Sequence, residues 1–139
     1  MTPEKLCKLA ISAMENAYAP YSGYKVGAAL LCTDGTVYLG CNIENAAYSP
    51  TNCAERTAFF KAVSEGHREF SAIAVCGGKD GVLTGAFPPC GVCRQVMREF
   101  CDDDFAIYLV TGENSWEALT LSQLLPHSFN AREHMAQKL

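Results

Sequence analysis

Basic charge is scarce in this sequence, histidine is scarcer, and no long apolar run occurs. Eleven Lys and Arg stand against fifteen Asp and Glu, for a net charge of −4 and a pI of about 5.3. Gripping a polyphosphate backbone requires Lys and Arg to neutralise it, so nucleic acid is not expected as a partner. No stretch approaches the ~20 apolar residues that span a bilayer. Lys5 and Lys8 precede an apolar pattern broken by Glu15 and Asn16 rather than a leader's unbroken core. There is no Asn-x-Ser/Thr sequon. A cytoplasmic protein is therefore expected, and its eight cysteines read as reduced thiols rather than a disulfide framework. Cys7, Cys32, Cys41, Cys76 and Cys101 lie in apolar patterns, where a free cysteine behaves as a small hydrophobe.

The 139 residues predict one domain over 1–139. Thr2-Pro3-Glu4 is a helix start, with Leu6 to Ala17 at helical period and Pro20 as the stop. Lys25–Cys32 and Val37–Cys41 flank an Asp34-Gly35 hairpin turn. Residues 42–52 form a polar loop. A second helix runs from Cys53 to about Ser64, with Phe59, Phe60 and Val63 inward and Gly66 as its stop. Phe70–Cys76 is a strand, 77–87 a glycine-rich loop, and Cys90–Phe100 a helix with Val92, Val96, Met97 and Phe100 inward. Strands at 105–110 and 116–119, a short helix at 121–125 and a polar, partly extended tail at 127–139 complete the chain. The strand–helix–strand–helix–strand run implies parallel pairing with right-handed crossovers. The fold class is α/β, a three-layer αβα sandwich around a mixed five-stranded sheet.

Chemistry concentrates in two short segments, Cys53-Ala54-Glu55-Arg56 and Pro89-Cys90-Gly91-Val92-Cys93-Arg94. Thiolates bind zinc, and three protein ligands leave one tetrahedral position for water. A nearby carboxylate off the metal can move that water's proton. Alone, the Cys-x-x-Cys is equally a redox dithiol, a structural zinc site or a core accident. Alone, Glu55 is a first-turn helix acid. His67, His127 and His134 lack ligand spacing and read as surface residues. Both cysteine segments open helices, whose N-terminal dipoles favour thiolates. Arg56 would offset the surplus charge of three thiolates on a divalent ion, as could Arg94.

Cys53-Ala54-Glu55 with Pro89-Cys90-Gly91-Val92-Cys93 matches the zinc nucleobase deaminase pattern in its all-cysteine form. Over almost its full length the sequence resembles the small homotetrameric cytidine deaminases. The matching stretches are Tyr18–Ser22, Lys25–Leu30, Gly40–Ala46, Cys53–Ala58, Pro89–Gly91, Cys93–Gln95 and Leu124–Pro126 with Phe129. The resemblance implies zinc, one per subunit, on Cys53, Cys90 and Cys93. It implies hydrolysis of cytidine and 2′-deoxycytidine to the uridines and ammonia, as in pyrimidine salvage. Glu55 would shuttle the proton from zinc-activated water to N3 and then to the leaving amine. Asn42 and Glu44 would hold the ribose hydroxyls, and Ala54 with Glu55 the polar edge of the base. Arg56 would hydrogen-bond ligand sulfurs. Phe129 would stack on the base in a neighbouring subunit's site, and Tyr48 would lie at that shared boundary. The sequence departs from the family at Tyr24, usually Phe beside the sugar, and at Val92, more often Ala. Two other readings share the motif: a zinc-stabilised binding module, and a deaminase of an aminopyrimidine antibiotic such as blasticidin S.

Overall fold

A computed structural model of the chain describes residues 1–135; the last four residues of the expected extended tail lie outside the described residues. Helix α1 (Pro3–Ala13) starts where expected, with the Thr2 hydroxyl accepting from the Lys5 amide and proline in the first turn. It stops earlier than Pro20. From Met14 to Asn16 the turn tightens to 3-10, and Tyr18 then bridges to Ile43 in extended conformation. The Tyr18 amide donates to Asn42 O and its carbonyl accepts from the Glu44 amide, partners a continuing helix would have denied it.

Strands β1 (Tyr24–Cys32), β2 (Val37–Cys41), β3 (Phe70–Lys79), β4 (Ala106–Gly112) and β5 (Ser115–Thr120) form one sheet in the order β2-β1-β3-β4-β5. Only β3 and β4 are parallel. This corrects the run of parallel pairs expected from the element order. β2 already occupies one edge of β1, so the crossover through α2 (Ala54–Ser64) carries β3 to the other edge, where it runs antiparallel to β1. The crossover through α3 (Gly91–Phe100) gives the one parallel pair. β3 also extends to Lys79, into the stretch expected to be loop, because Gly77 and Gly78 pair with Val26 and Lys25. Two short helices follow, α4 (Leu121–Leu124), opened by a Thr120–Gln123 capping box, and α5 (Ala131–His134).

Period-two alternation divides the sheet into two faces. Ala29, Ala72, Ala74 and Cys76 pack under α1 with Leu6, Cys7 and Ala10. Ala28, Leu30, Ile73 and Val75 pack under α2 and α3 with Phe59, Met97 and Ile107. The result is a three-layer αβα sandwich. Small residues on the α1 side keep that layer close, and the phenylalanines of the core gather on the other. Phe59 is 1% exposed and meets Phe70 edge-on at 5.0 Å and Phe105 at 6.2 Å. Losing a ring so placed costs about 3–5 kcal/mol.

Two apolar side chains expected inside are outside. Phe60 lies about 100° round the helix from Phe59 and is half exposed, since α2 buries Ala54, Glu55, Ala58, Phe59 and Ala62. Val92 sits in the first turn of α3, and Cys93 and Met97 hold the buried face instead. His127 and His134 are exposed, but His67 is half-buried against the hairpin.

Candidate active site

Two helix N-termini deliver the sulfurs. Cys53 is the N-cap of α2 and Cys90 the N-cap of α3, and neither side chain caps its helix. That position usually carries an oxygen acceptor for the first free amides. A sulfur there sits instead at the positive end of the helix dipole, which favours its anion. Cys93, at the third position of α3, is fully buried. Cys53 Sγ and Cys90 Sγ lie 3.7 Å apart, and all three sulfurs fall within 4.8 Å of one another. Tetrahedral zinc with bonds of about 2.3 Å separates its sulfurs by about 3.8 Å. The donor set therefore fits zinc and leaves a fourth position.

The sheet fixes where α2 begins. A Cβ on Gly40 of β2 would stand 2.3 Å from the Ala54 carbonyl oxygen and 2.7 Å from the Ala58 amide nitrogen. The first turn of α2 thus rests directly on the β2 backbone, and Cys53 is carried with it.

Electrostatics in the cluster follow from crowding. The Cys53 thiol is brought down to about 5, first by a hydrogen bond from the Cys93 thiol and then by Arg56, whose Nη2 donates to Cys53 Sγ at 3.2 Å. Cys93 moves upward, because it donates to Cys53 and because it is buried. Glu55 is 4% exposed, and burial pushes its carboxyl up to about 7. A carboxyl with affinity for a proton near neutrality, beside a metal-ligand cluster, has the character of a general acid–base group. Arg94, a second candidate for offsetting the thiolate charge, is engaged elsewhere. Its Nε donates to Pro89 O and its Nη1 to Leu124 O, each at 2.7 Å, so it ties the Cys90 segment to the end of α4.

A cavity of about 200 Å³ opens beside the cluster. Its lining includes Cys53, Ala54, Glu55 and Cys90 together with Tyr24, Asn42 and Glu44. Asn42 is buried at 8% exposure, accepting from the Val26 amide at 2.9 Å and donating to Tyr24 O at 2.8 Å. These bonds hold the β1 backbone and leave one amide hydrogen and one lone pair free. Glu44 is held by the Tyr21 amide at 2.9 Å, the Ser22 amide at 3.0 Å and the Ser22 hydroxyl. The Ser22 hydroxyl and amide keep its carboxyl below the ordinary value.

Four of the expected residues are not in the cavity wall: Cys93 and Arg56 stand against Cys53, and Phe129 and Tyr48 lie elsewhere. Phe129 is 58% exposed, its carbonyl accepting from Gln95 Nε2 at 2.9 Å, and its ring stacks on His134. Tyr48 is 72% exposed, has left-handed backbone (φ 63°) and meets Tyr21 edge-on. Conversely, the cavity includes Phe87, Pro88 and Ser22, which the sequence reading passed over. Phe87 faces Tyr24 across 6.2 Å. It rests where a Cβ on Gly77 would come within 2.8 Å of its ring. The available signal was an aromatic just ahead of Pro88-Pro89, with a glycine pair ten residues earlier.

Comparison with known proteins agrees with this geometry. Residues 1–109 match the family described as the cytidine and deoxycytidylate deaminase zinc-binding region. The chain is 52% identical over 133 residues to the cytidine deaminase of Sporosarcina psychrophila, covering 96% of this chain and 95% of that one. It is 51% identical to that of Halalkalibacterium halodurans, covering 96% and 98%. Among solved structures, the cytidine deaminase of Burkholderia pseudomallei superposes with a TM-score of 0.85 at 46% identity, covering 93% of this chain and all of that one. That of Mycobacterium tuberculosis gives 0.78 at 35% identity, covering 93% and 98%.

Proposed function

The chain belongs to the cytidine and deoxycytidylate deaminase family and is an enzyme of the hydrolytic deaminase class, and from that premise we propose that it converts cytidine and 2′-deoxycytidine to uridine and 2′-deoxyuridine, releasing ammonia. One observation carries the reading. One small cavity is lined by sulfurs of a zinc-compatible thiol cluster, a buried carboxyl, an amide and a second carboxylate. Such a cavity offers hydrolytic chemistry to a flat heterocycle and hydrogen bonds to a polyol attached to it.

Cys53, Cys90 and Cys93 would hold one zinc ion per chain, and when bound it would supply a Lewis acid that makes water nucleophilic near neutral pH. Glu55 accepts the proton released as water oxygen bonds to C4 and passes it to N3. It then takes the second proton, from the new C4 hydroxyl as that oxygen becomes the carbonyl, and delivers it to the amino group as the C4–N bond breaks, so that ammonia departs. Arg56, donating to Cys53 Sγ, offsets part of the negative charge of the thiolates. The Ala54–Glu55 segment meets the polar edge of the base, and Phe87 and Tyr24 supply apolar wall. Asn42 and Glu44 bind the ribose hydroxyls. The Glu44 carboxylate also repels a phosphate at the same position, which selects nucleosides over nucleotides.

The same reading includes assembly as a homotetramer with shared sites, in one domain over 1–139, serving pyrimidine salvage in the cytoplasm. Phe129 and Tyr48, aromatic and exposed in the single chain, are the residues that would meet a neighbour, with Phe129 stacking on its bound base. Among the described residues no helix is long and apolar enough to cross a membrane.

The test follows the cytidine absorbance band and ammonia release together. Both nucleosides are expected to turn over. Glu55→Gln is expected to keep zinc near one per chain while kcat falls about 10²–10⁴-fold. No turnover of either nucleoside would overturn the substrate reading, and full activity in Glu55→Gln would overturn the proton shuttle. Sedimentation of an active sample as a monomer would overturn the tetramer.

A further inference from the structure

A second cluster of metal-ligating side chains lies outside the cavity, between the β1–β2 hairpin and the end of α2. Cys32, Asp34 and His67 bring one ligand atom each to within 4.8 Å of one another. His67 Nε2 stands 3.2 Å from Asp34 Oδ2. Nitrogen and oxygen ligands on tetrahedral zinc, with bonds of about 2.0–2.1 Å, are about 3.3 Å apart. The Cys32 sulfur would need to close by little more than about 1 Å at most to complete the set.

Asp34 and His67 are also oriented by groups behind them. Asp34 Oδ1 accepts from the Thr36 amide at 2.9 Å, which leaves Oδ2 free to face His67. The other ring nitrogen of His67, Nδ1, meets the Tyr38 hydroxyl at 3.1 Å. Metal-binding histidines are typically held through the opposite nitrogen in this way. The backbone of His67 is fixed by the close of α2: the Gly66 amide donates to Val63 O and the His67 amide to Ala62 O, a Schellman pair. The site therefore sits at a helix C-terminus, which favours positive charge. Glu65, close enough for its charge to act on Tyr38, adds to that preference. The nearby Arg68 guanidinium is turned onto the Val63 and His67 carbonyls.

The geometry points to a second divalent-cation site of zinc type on Cys32, Asp34 and His67, with water as the fourth ligand. A mixed sulfur, nitrogen and oxygen set suits zinc or cobalt and not magnesium or calcium. The ion is structural: it fastens the hairpin to the end of α2 and takes no part in the reaction. The inference is independent of the deaminase reading, since none of these residues lines the catalytic cavity.

The experiment adds Co²⁺ to the zinc-loaded enzyme and measures both metals after dialysis. Zinc is expected to stay constant while one further cobalt binds per chain in the micromolar range. Tetrahedral visible bands, a sulfur-to-cobalt charge-transfer band and a rise in Tm with cobalt concentration should accompany it. His67→Gln and Asp34→Asn should each abolish the extra equivalent with cytidine turnover intact. Cys32→Ser should abolish the charge-transfer band. Tyr38→Phe should weaken binding about 10–100-fold, as loss of an orienting partner does. No cobalt beyond the zinc complement at millimolar concentration would overturn the site. So would an extra equivalent that survives both His67→Gln and Asp34→Asn, or one lacking the sulfur band.

Discussion

Gly77→Ala tests how the cavity wall is built. The added Cβ would stand 2.8 Å from Phe87 Cγ and Cδ1 and 3.2 Å from Lys25 O. Carbon atoms in comfortable contact are about 3.5–4.0 Å apart, so the ring must retreat by about 1 Å. Forcing one methyl into such a contact costs about 1–3 kcal/mol. For a chain of this length that lowers Tm by roughly 3–10 °C. The functional effect is separate, because the same ring lines the cavity. A misplacement of about 1 Å near a reacting centre can cost up to about 10²-fold, so kcat/KM for cytidine should fall by one to two orders of magnitude. The decisive assay is a double-mutant cycle with Phe87→Val, scored by Tm and by kcat/KM. Removing the ring removes the clash, so the double variant should be more stable than the sum of the single changes predicts, by about 1 kcal/mol or more. The Lys25 contact is present in both arms and cancels. Additive effects in both measurements would refute the reasoning, since Gly77 would then serve something other than Phe87.

Glu44 is held below its ordinary pKa by Ser22, so its anion persists below the usual carboxylate range. Stability and nucleoside affinity from this carboxylate are full above its unfolded value and are lost as pH falls through the lowered folded value. KM should therefore stay flat down to that point, and Ser22→Ala should move the rise in KM to higher pH; an unmoved profile would refute the coupling. Arg94→Ala leaves the Pro89 and Leu124 carbonyls without their charged donor and should cost about 1.5–3 kcal/mol, with faster zinc loss to a chelator. Arg94→Lys should not restore both bonds, because one ammonium cannot reproduce the planar fork; wild-type Tm in either variant would count against it. Chelating the metal should lower Tm in proportion to the logarithm of chelator excess, as expected of an ion bound only to the native state; an unchanged Tm would place the ion elsewhere.

The candidate site residues were easier to read than the paths between them. Cys53, Glu55, Cys90 and Cys93 declare themselves because thiol and carboxyl spacing at two helix starts has few other uses, and Asn42 and Glu44 stand out in a polar loop. Strand pairing was harder. The order of elements does not say which edge of β1 is free, so β3 was expected in a run of parallel pairs rather than antiparallel beside β1. Phe87 stayed hidden because its partner, Gly77, carries no side chain to announce a contact. Arg94 looked like a charge for sulfur, and only the fold brings the Leu124 carbonyl, thirty residues on, within its reach. His67 has no ligand spacing in sequence, because Asp34 lies across a helix and a strand from it.

At Gly40, β2 meets α2 backbone to backbone. No rotamer stands between the sheet and the turn that carries Cys53, so that separation is set by peptide atoms, whose sizes do not drift. A substitution at Phe59 or Met97 changes the core layer without changing the atoms that meet at Gly40. The Cys53 end of α2 thereby has a fixed datum, set by peptide atoms rather than by packed side chains.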